Sequence, residues 1–193
     1  MMAFMSWTNP DERLAAIRAR HAAGEKQKFM FFWGHRPERD GRVGQGCFSQ
    51  WWPSPFTVDG VTYATAEHWM MAGKARRFGD EAALAKILAA PSPAQAKKLG
   101  RRVRGFDQDR WVEHRYELVA EGNLAKFGQY PQYADVLRTS GSRVLVEASP
   151  VDRIWGIGLA ADDGAANDPT RWRGLNLLGF ALMDLREIFL RAA

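Results

Sequence analysis

The apolar positions of this chain favour helix over strand along most of its length. Leu178, Leu182, Leu185 and Phe189 recur at helical spacing and predict a closing helix from about residue 176 to 190. Further helical stretches fall at about 80–90, 93–101, 108–127 and 131–138, punctuated by Pro91, Pro93, Gly105 and Pro131. Thr65 supplies an N-cap for another helix at about 66–78. Near the start, Asn9-Pro10-Asp11-Glu12 combines a capping residue, a first-turn proline and acids that face the helix dipole. That helix has only a thin apolar stripe, Leu14, Ala15 and Ile17, and Gly24 stops it. Residues 1–26 therefore read as a peripheral helical extension, and 27–193 as the domain proper.

Strand signals are fewer. Gln27 to Trp33 and Arg143 to Ala148 are short apolar candidates, and Phe56 to Tyr63 is a hairpin, because Asp59-Gly60 can supply the positive φ angles of a type I′ turn. Residues 34–47 carry four glycines and a proline and read as a long loop, and 149–174 is irregular. The expected fold is α+β: a compact single domain, mostly helical, with a small sheet.

Composition narrows the class. The 193 residues suffice for one core, and 46% hydrophobic with 25% charged residues is an ordinary globular balance. Eight tryptophans lean towards a ring-shaped ligand, since aromatic faces stack on sugars and bases. A net charge of +5 favours a phosphate-bearing ligand but is too dispersed to establish nucleic-acid binding. One cysteine, Cys47, excludes an internal disulfide. Met1 to Pro10 lacks the pattern of a secretory signal, and no run approaches about 18 apolar residues, so the expected compartment is the cytoplasm, with no membrane contact.

Chemistry concentrates on the helix after the hairpin. Glu67 and Lys74 are seven residues apart, which places them within roughly 20° of one another around the axis and about 10 Å along it. A bound sugar spans that gap. His68 reads as a core hydrogen-bonding residue, because none of the four histidines pairs with another at ligand spacing, and no metal is expected. Gly156-Ile157-Gly158-Leu159-Ala160-Ala161 matches a dinucleotide fingerprint formally, but no βαβ unit surrounds it. No serine sits in a nucleophile elbow, and Cys47 reads as buried and inert. Lys97-Lys98-Leu99-Gly100-Arg101-Arg102 is a basic helix end, by default solvated and alternatively a phosphate clamp.

Several of these pieces, in order, resemble the NADAR family, which includes N-glycosidases of riboflavin intermediates. They are Phe48-Ser49-Gln50-Trp51, Thr65-Ala66-Glu67-His68-Trp69, Lys74-Ala75, Leu99-Gly100-Arg101, Trp111, Lys126-Phe127, Val146 to Asp152, Trp155-Gly156-Ile157-Gly158 and Trp172-Arg173-Gly174-Leu175-Asn176-Leu177-Leu178-Gly179. The match as a whole runs in order from about Phe31 to Glu187. The resemblance implies a helix-rich domain that needs no cofactor and cleaves between ribose C1 and an exocyclic amine. The partner is a phosphoribosylamino-pyrimidine or an ADP-ribosylated guanine, in the second case within DNA. It implies Lys74 as nucleophile, with Trp69 and Met70 drying it, and Glu67 for proton transfer; the rival mechanism has Glu67 activate water against an oxocarbenium-like centre, with Lys74 only binding phosphate or hydroxyl. Arg101 would bind phosphate, Trp111 or Trp155 would stack on the base, and Asp152 and Asn176 would hold ribose hydroxyls. Glu147 and Lys126 read as structural. Gln50 stands where the family often has Asn, so its amide contact with substrate is longer by one methylene. The rival class is a non-catalytic module that binds ADP-ribose or nucleic acid without releasing product.

Overall fold

A computed structural model describes residues 7–191, so most of the Met1 to Pro10 stretch lies outside the described residues. In chain order the elements are α1 (Pro10–Ala22), β1 (Phe29–Phe32), β2 (Phe56–Val58), β3 (Val61–Tyr63), α2 (Ala66–Arg77), α3 (Glu81–Leu88), α4 (Pro93–Gly100), α5 (Gln108–Gln129), α6 (Pro131–Thr139), β4 (Val144–Glu147) and α7 (Leu177–Arg191). Short 3₁₀ turns occur at Gln45–Phe48 and Pro169–Arg171. The chain is α+β and mostly helical, as its pattern predicts. Among the described residues no helix is long and apolar enough to cross a membrane.

The chain divides into two units, Gly34–Tyr133 and the combination of Met1–Trp33 with Ala134–Ala193. In the Gly34–Tyr133 unit, Asp59 (φ 48°) and Gly60 (φ 77°) turn the β2–β3 hairpin, which pairs Phe56 with Tyr63 in antiparallel register. α2 packs against α3, α4 and α5. Close approach is built in with small residues: a Cβ on Gly122 of α5 would collide with the Trp69 ring, and one on Gly100 of α4 with the Met71 sulfur. α2 is thus enclosed on several sides, and Ala66, Glu67, His68, Met70, Met71, Ala72 and Ala75 are all buried.

In the other unit, β1 and β4 pair in parallel, Phe29 with Val144 through Phe32 with Glu147, and α7 packs on β4. The sequence offered both strands but not their pairing. α1 is packed into this unit rather than appended to it. Leu14 and Ile17 are buried, and the Arg13 guanidinium donates to Asp184 of α7 at 2.6 Å. Its apolar stripe is thin because polar contacts share the attachment: Arg13 also reaches Glu187 at 3.5 Å, and Arg18 Nε donates to the Pro169 carbonyl at 3.0 Å.

Candidate active site

The first turn of α2 is fixed from two directions. Thr65 is its N-cap and accepts from the backbone N–H of His68, while the N–H of Glu67 donates to the carbonyl of Gln50 at 2.9 Å. Both bonds satisfy donors that a helix start leaves open. Glu67 is only 2% exposed, and the indole Nε1–H of Trp51 donates to its Oε2 at 3.2 Å. The helix dipole also favours a carboxylate there. Trp51 itself is half-buried, with the His35 ring 5.8 Å away and Lys97 Nζ 5.9 Å from its ring.

Two residues of α5, three positions apart and so on one face, hold the segment that carries Gln50 and Trp51. Lys126, fully buried, donates from Nζ to the carbonyls of Cys47 at 2.6 Å and Ser49 at 3.0 Å. Burial lowers its pKa to about 7. Asn123 donates to the carbonyl of Val119 at 2.8 Å, which turns its Oδ1 towards Gln50 to accept from Nε2 at 3.0 Å. Gln50 Oε1 is thereby left as an acceptor that no donor reaches among the described residues. The sequence reading missed Asn123; its spacing to Lys126 was the available signal. Cys47 beside it is inert, because burial pushes its thiol up to about 12.

Lys74, on the third turn of α2, has a different setting. Its Nζ sits 3.8 Å over the face of Phe106 and 5.7 Å from the Trp111 ring, and the side chain is half-buried. Among the described residues no carboxylate or carbonyl binds the nitrogen. Burial alone lowers its pKa. The drying residues differ from those expected. Trp69 donates to the Leu118 carbonyl and packs on Tyr63, so Phe106 and Trp111 take that place.

The other expected residues are placed as follows. Trp111, 9% exposed, lies beside Lys74. Arg101 caps the end of α4 and is exposed. His68 is a core residue: its Nε2–H donates to the Ala90 carbonyl at 3.0 Å, and Nδ1 meets Thr65 Oγ1 at 2.8 Å. Asp152, Trp155 and Asn176 belong to the other unit. Asp152 Oδ1 accepts from the N–H groups of Ile154 and Trp155, both at 2.8 Å, and shapes its own loop. Asn176 has no exposed surface and braces β4, accepting from Glu147 N and donating to the Leu145 carbonyl, both at 2.9 Å. Both ends of its amide are thus engaged by backbone.

Known proteins share this fold and much of this sequence. A model of the NADAR domain matches residues 31–190. An N-glycosidase of Acanthamoeba polyphaga mimivirus is 41% identical over 168 residues, covering 84% of this chain and 97% of its own length. An N-glycosidase of Nostoc punctiforme is 36% identical over 143 residues, 74% of this chain and 84% of its own. The solution structure of Escherichia coli YbiA shares the fold with a TM-score of 0.69 at 26% identity, covering 86% of this chain and 88% of that one. The chain belongs to the NADAR domain family.

Proposed function

We propose that the protein cleaves the bond between ribose C1 and an exocyclic amine of a base, with Lys74 as nucleophile and Glu67 moving protons. That it is a hydrolase of the N-glycosidase type follows from its relatives. The substrate class and the residue roles are our reading. The observation that carries it is Lys74: a lysine made less basic by burial, set against two aromatic rings and held by no acceptor among the described residues. A lysine must be neutral to attack carbon, and desolvation is the standard way to make it so at moderate pH.

The chemistry then balances without a cofactor. The amine nitrogen of the substrate pushes its lone pair onto C1 as the ring oxygen leaves, and the Glu67 carboxylate carries the N–H proton to that oxygen, giving an open-chain imine. Lys74 adds to C1, the departing nitrogen is protonated, and the base leaves with its amino group. The resulting lysine Schiff base adds water at C1, and collapse of that adduct returns the amine of Lys74 and the free sugar. Trp51 fixes Glu67 through Oε2, and Gln50 Oε1 supplies an acceptor for the N–H of the leaving amine.

The test is to incubate the protein separately with a phosphoribosylamino-pyrimidine and with DNA carrying ADP-ribosylated guanine, and to follow base release by mass spectrometry. Release from at least one substrate is expected, with loss in Lys74→Ala and in Glu67→Gln while both variants remain folded. Saturable binding of both substrates with no release would overturn this reading in favour of a binding module.

A further inference from the structure

The loop after β4 and the residues leading into α7 form one braced platform. Backbone hydrogen bonds cross from Arg173 N to Ile157 O at 2.9 Å, Leu175 N to Arg153 O at 3.1 Å, Asn176 N to Gly156 O at 3.2 Å and Leu178 N to Trp155 O at 3.1 Å. Gly158 N closes the loop on the Asp152 carbonyl at 3.0 Å. Gly174 lies so close to the facing strand of chain that an added Cβ would collide with the Gly156 carbonyl oxygen. A loop braced in this way holds its outward side chains in place without further help.

Beside the exposed Val151 and Ile154, the outward side chains include donors. Arg153 and Arg173 are exposed and Trp155 is half-buried. The two arginine stems flank Gly158: Arg153 Cγ and Arg173 Cβ each lie 3.1 Å from the point where a Cβ on that glycine would stand. Among the described residues, neither guanidinium and no Trp155 indole N–H has a hydrogen-bond or ion-pair partner. In the same unit Arg13 is engaged by Asp184, and Arg186 by Ser140 and the Arg143 carbonyl. Two like charges carried on stems that flank one glycine repel one another, and a ligand of opposite charge relieves that repulsion. The planar donor fork of arginine matches phosphate oxygens, and the indole adds a third donor.

We propose that Arg153, Arg173 and Trp155 form a phosphoryl-binding site on this loop, for a phosphate monoester or diphosphate. The site rests on the glycosidase reading only for the identity of its natural ligand. Inorganic anions test it directly, so it can fail while that reading stands, and the reverse. The experiment titrates the ¹⁵N-labelled full chain with inorganic phosphate and with pyrophosphate, reading the Trp155 indole N–H resonance, assigned with Trp155→Phe. A saturable shift is expected, with affinity at least tenfold weaker in Arg153→Gln/Arg173→Gln and partly restored in Arg153→Gln/Arg173→Lys. The remaining indole resonances report that the variants are folded. Pyrophosphate binding at least tenfold tighter than phosphate assigns a diphosphate ligand; equal affinity assigns a monophosphate. No saturable shift, or equal affinity in the double Gln variant, overturns the proposal.

Discussion

Lys74 and Lys126 are both withdrawn from water and both lie near aromatic rings, and burial lowers the pKa of each, yet their hydrogen bonding and access differ. Lys126 has no exposed surface, and its nitrogen is held by the carbonyls of Cys47 and Ser49. A neutral amine carries two N–H groups, and these two carbonyls accept both. Lys74 is half-buried, lies over the face of Phe106 and has no such acceptor among the described residues. Desolvation makes a strut of one lysine and a candidate nucleophile of the other. Partners and access decide between them, not basicity.

The largest expected effect that separates the two lysines is on turnover. Lys74→Met should lower kcat on the order of 10³-fold or more with little change in Tm, since a nucleophile is lost and no hydrogen bond with it. Equal losses of activity and stability would erase the distinction. Lys126→Met should act on stability, and its pH dependence has a definite sign. Above about pH 7 the folded chain gives up a proton that the unfolded chain keeps until about pH 10.4. Raising the pH across that window therefore stabilises the wild type, close to tenfold in the folding constant per pH unit, and the variant loses that rise. Chemical denaturation at several pH values measures it.

Smaller effects sharpen the picture. Trp51→Phe removes the indole N–H from Glu67 Oε2 and should lower kcat by about tenfold, the size of one hydrogen bond to a charged group. Phe106→Ala readmits water to Lys74 and moves its pKa back towards 10.5. Because the neutral amine is the reactive form, the rising limb of the pH–rate profile should shift to higher pH, with a modest change at its plateau.

Much of this was legible in the chain because the signals are local. Thr65 caps α2, Asp59-Gly60 turns the hairpin, and prolines and glycines mark the helix ends near where they fall. The parallel pairing of β1 with β4 was not, since four-residue strands more than a hundred positions apart carry no register in their pattern. At the site, spacing and family resemblance singled out Glu67 and Lys74, but not what surrounds them. Phe106 and Trp111 reach Lys74 from the loop before α5 and from α5 itself, which helix spacing on α2 does not reveal. The setting of Asn176 was hidden for a similar reason. Its φ of 57° and its buried amide show an asparagine placed in a left-handed turn to brace β4, a role that the sequence motif alone does not distinguish from ligand binding.

The account stands most directly on covalent capture. Borohydride added while the enzyme is turning over should reduce the sugar Schiff base and leave a ribose-derived mass on the peptide containing Lys74. No adduct at that residue under active conditions, or an adduct confined to another lysine, would contradict the account and leave Glu67-activated water as the attacking group.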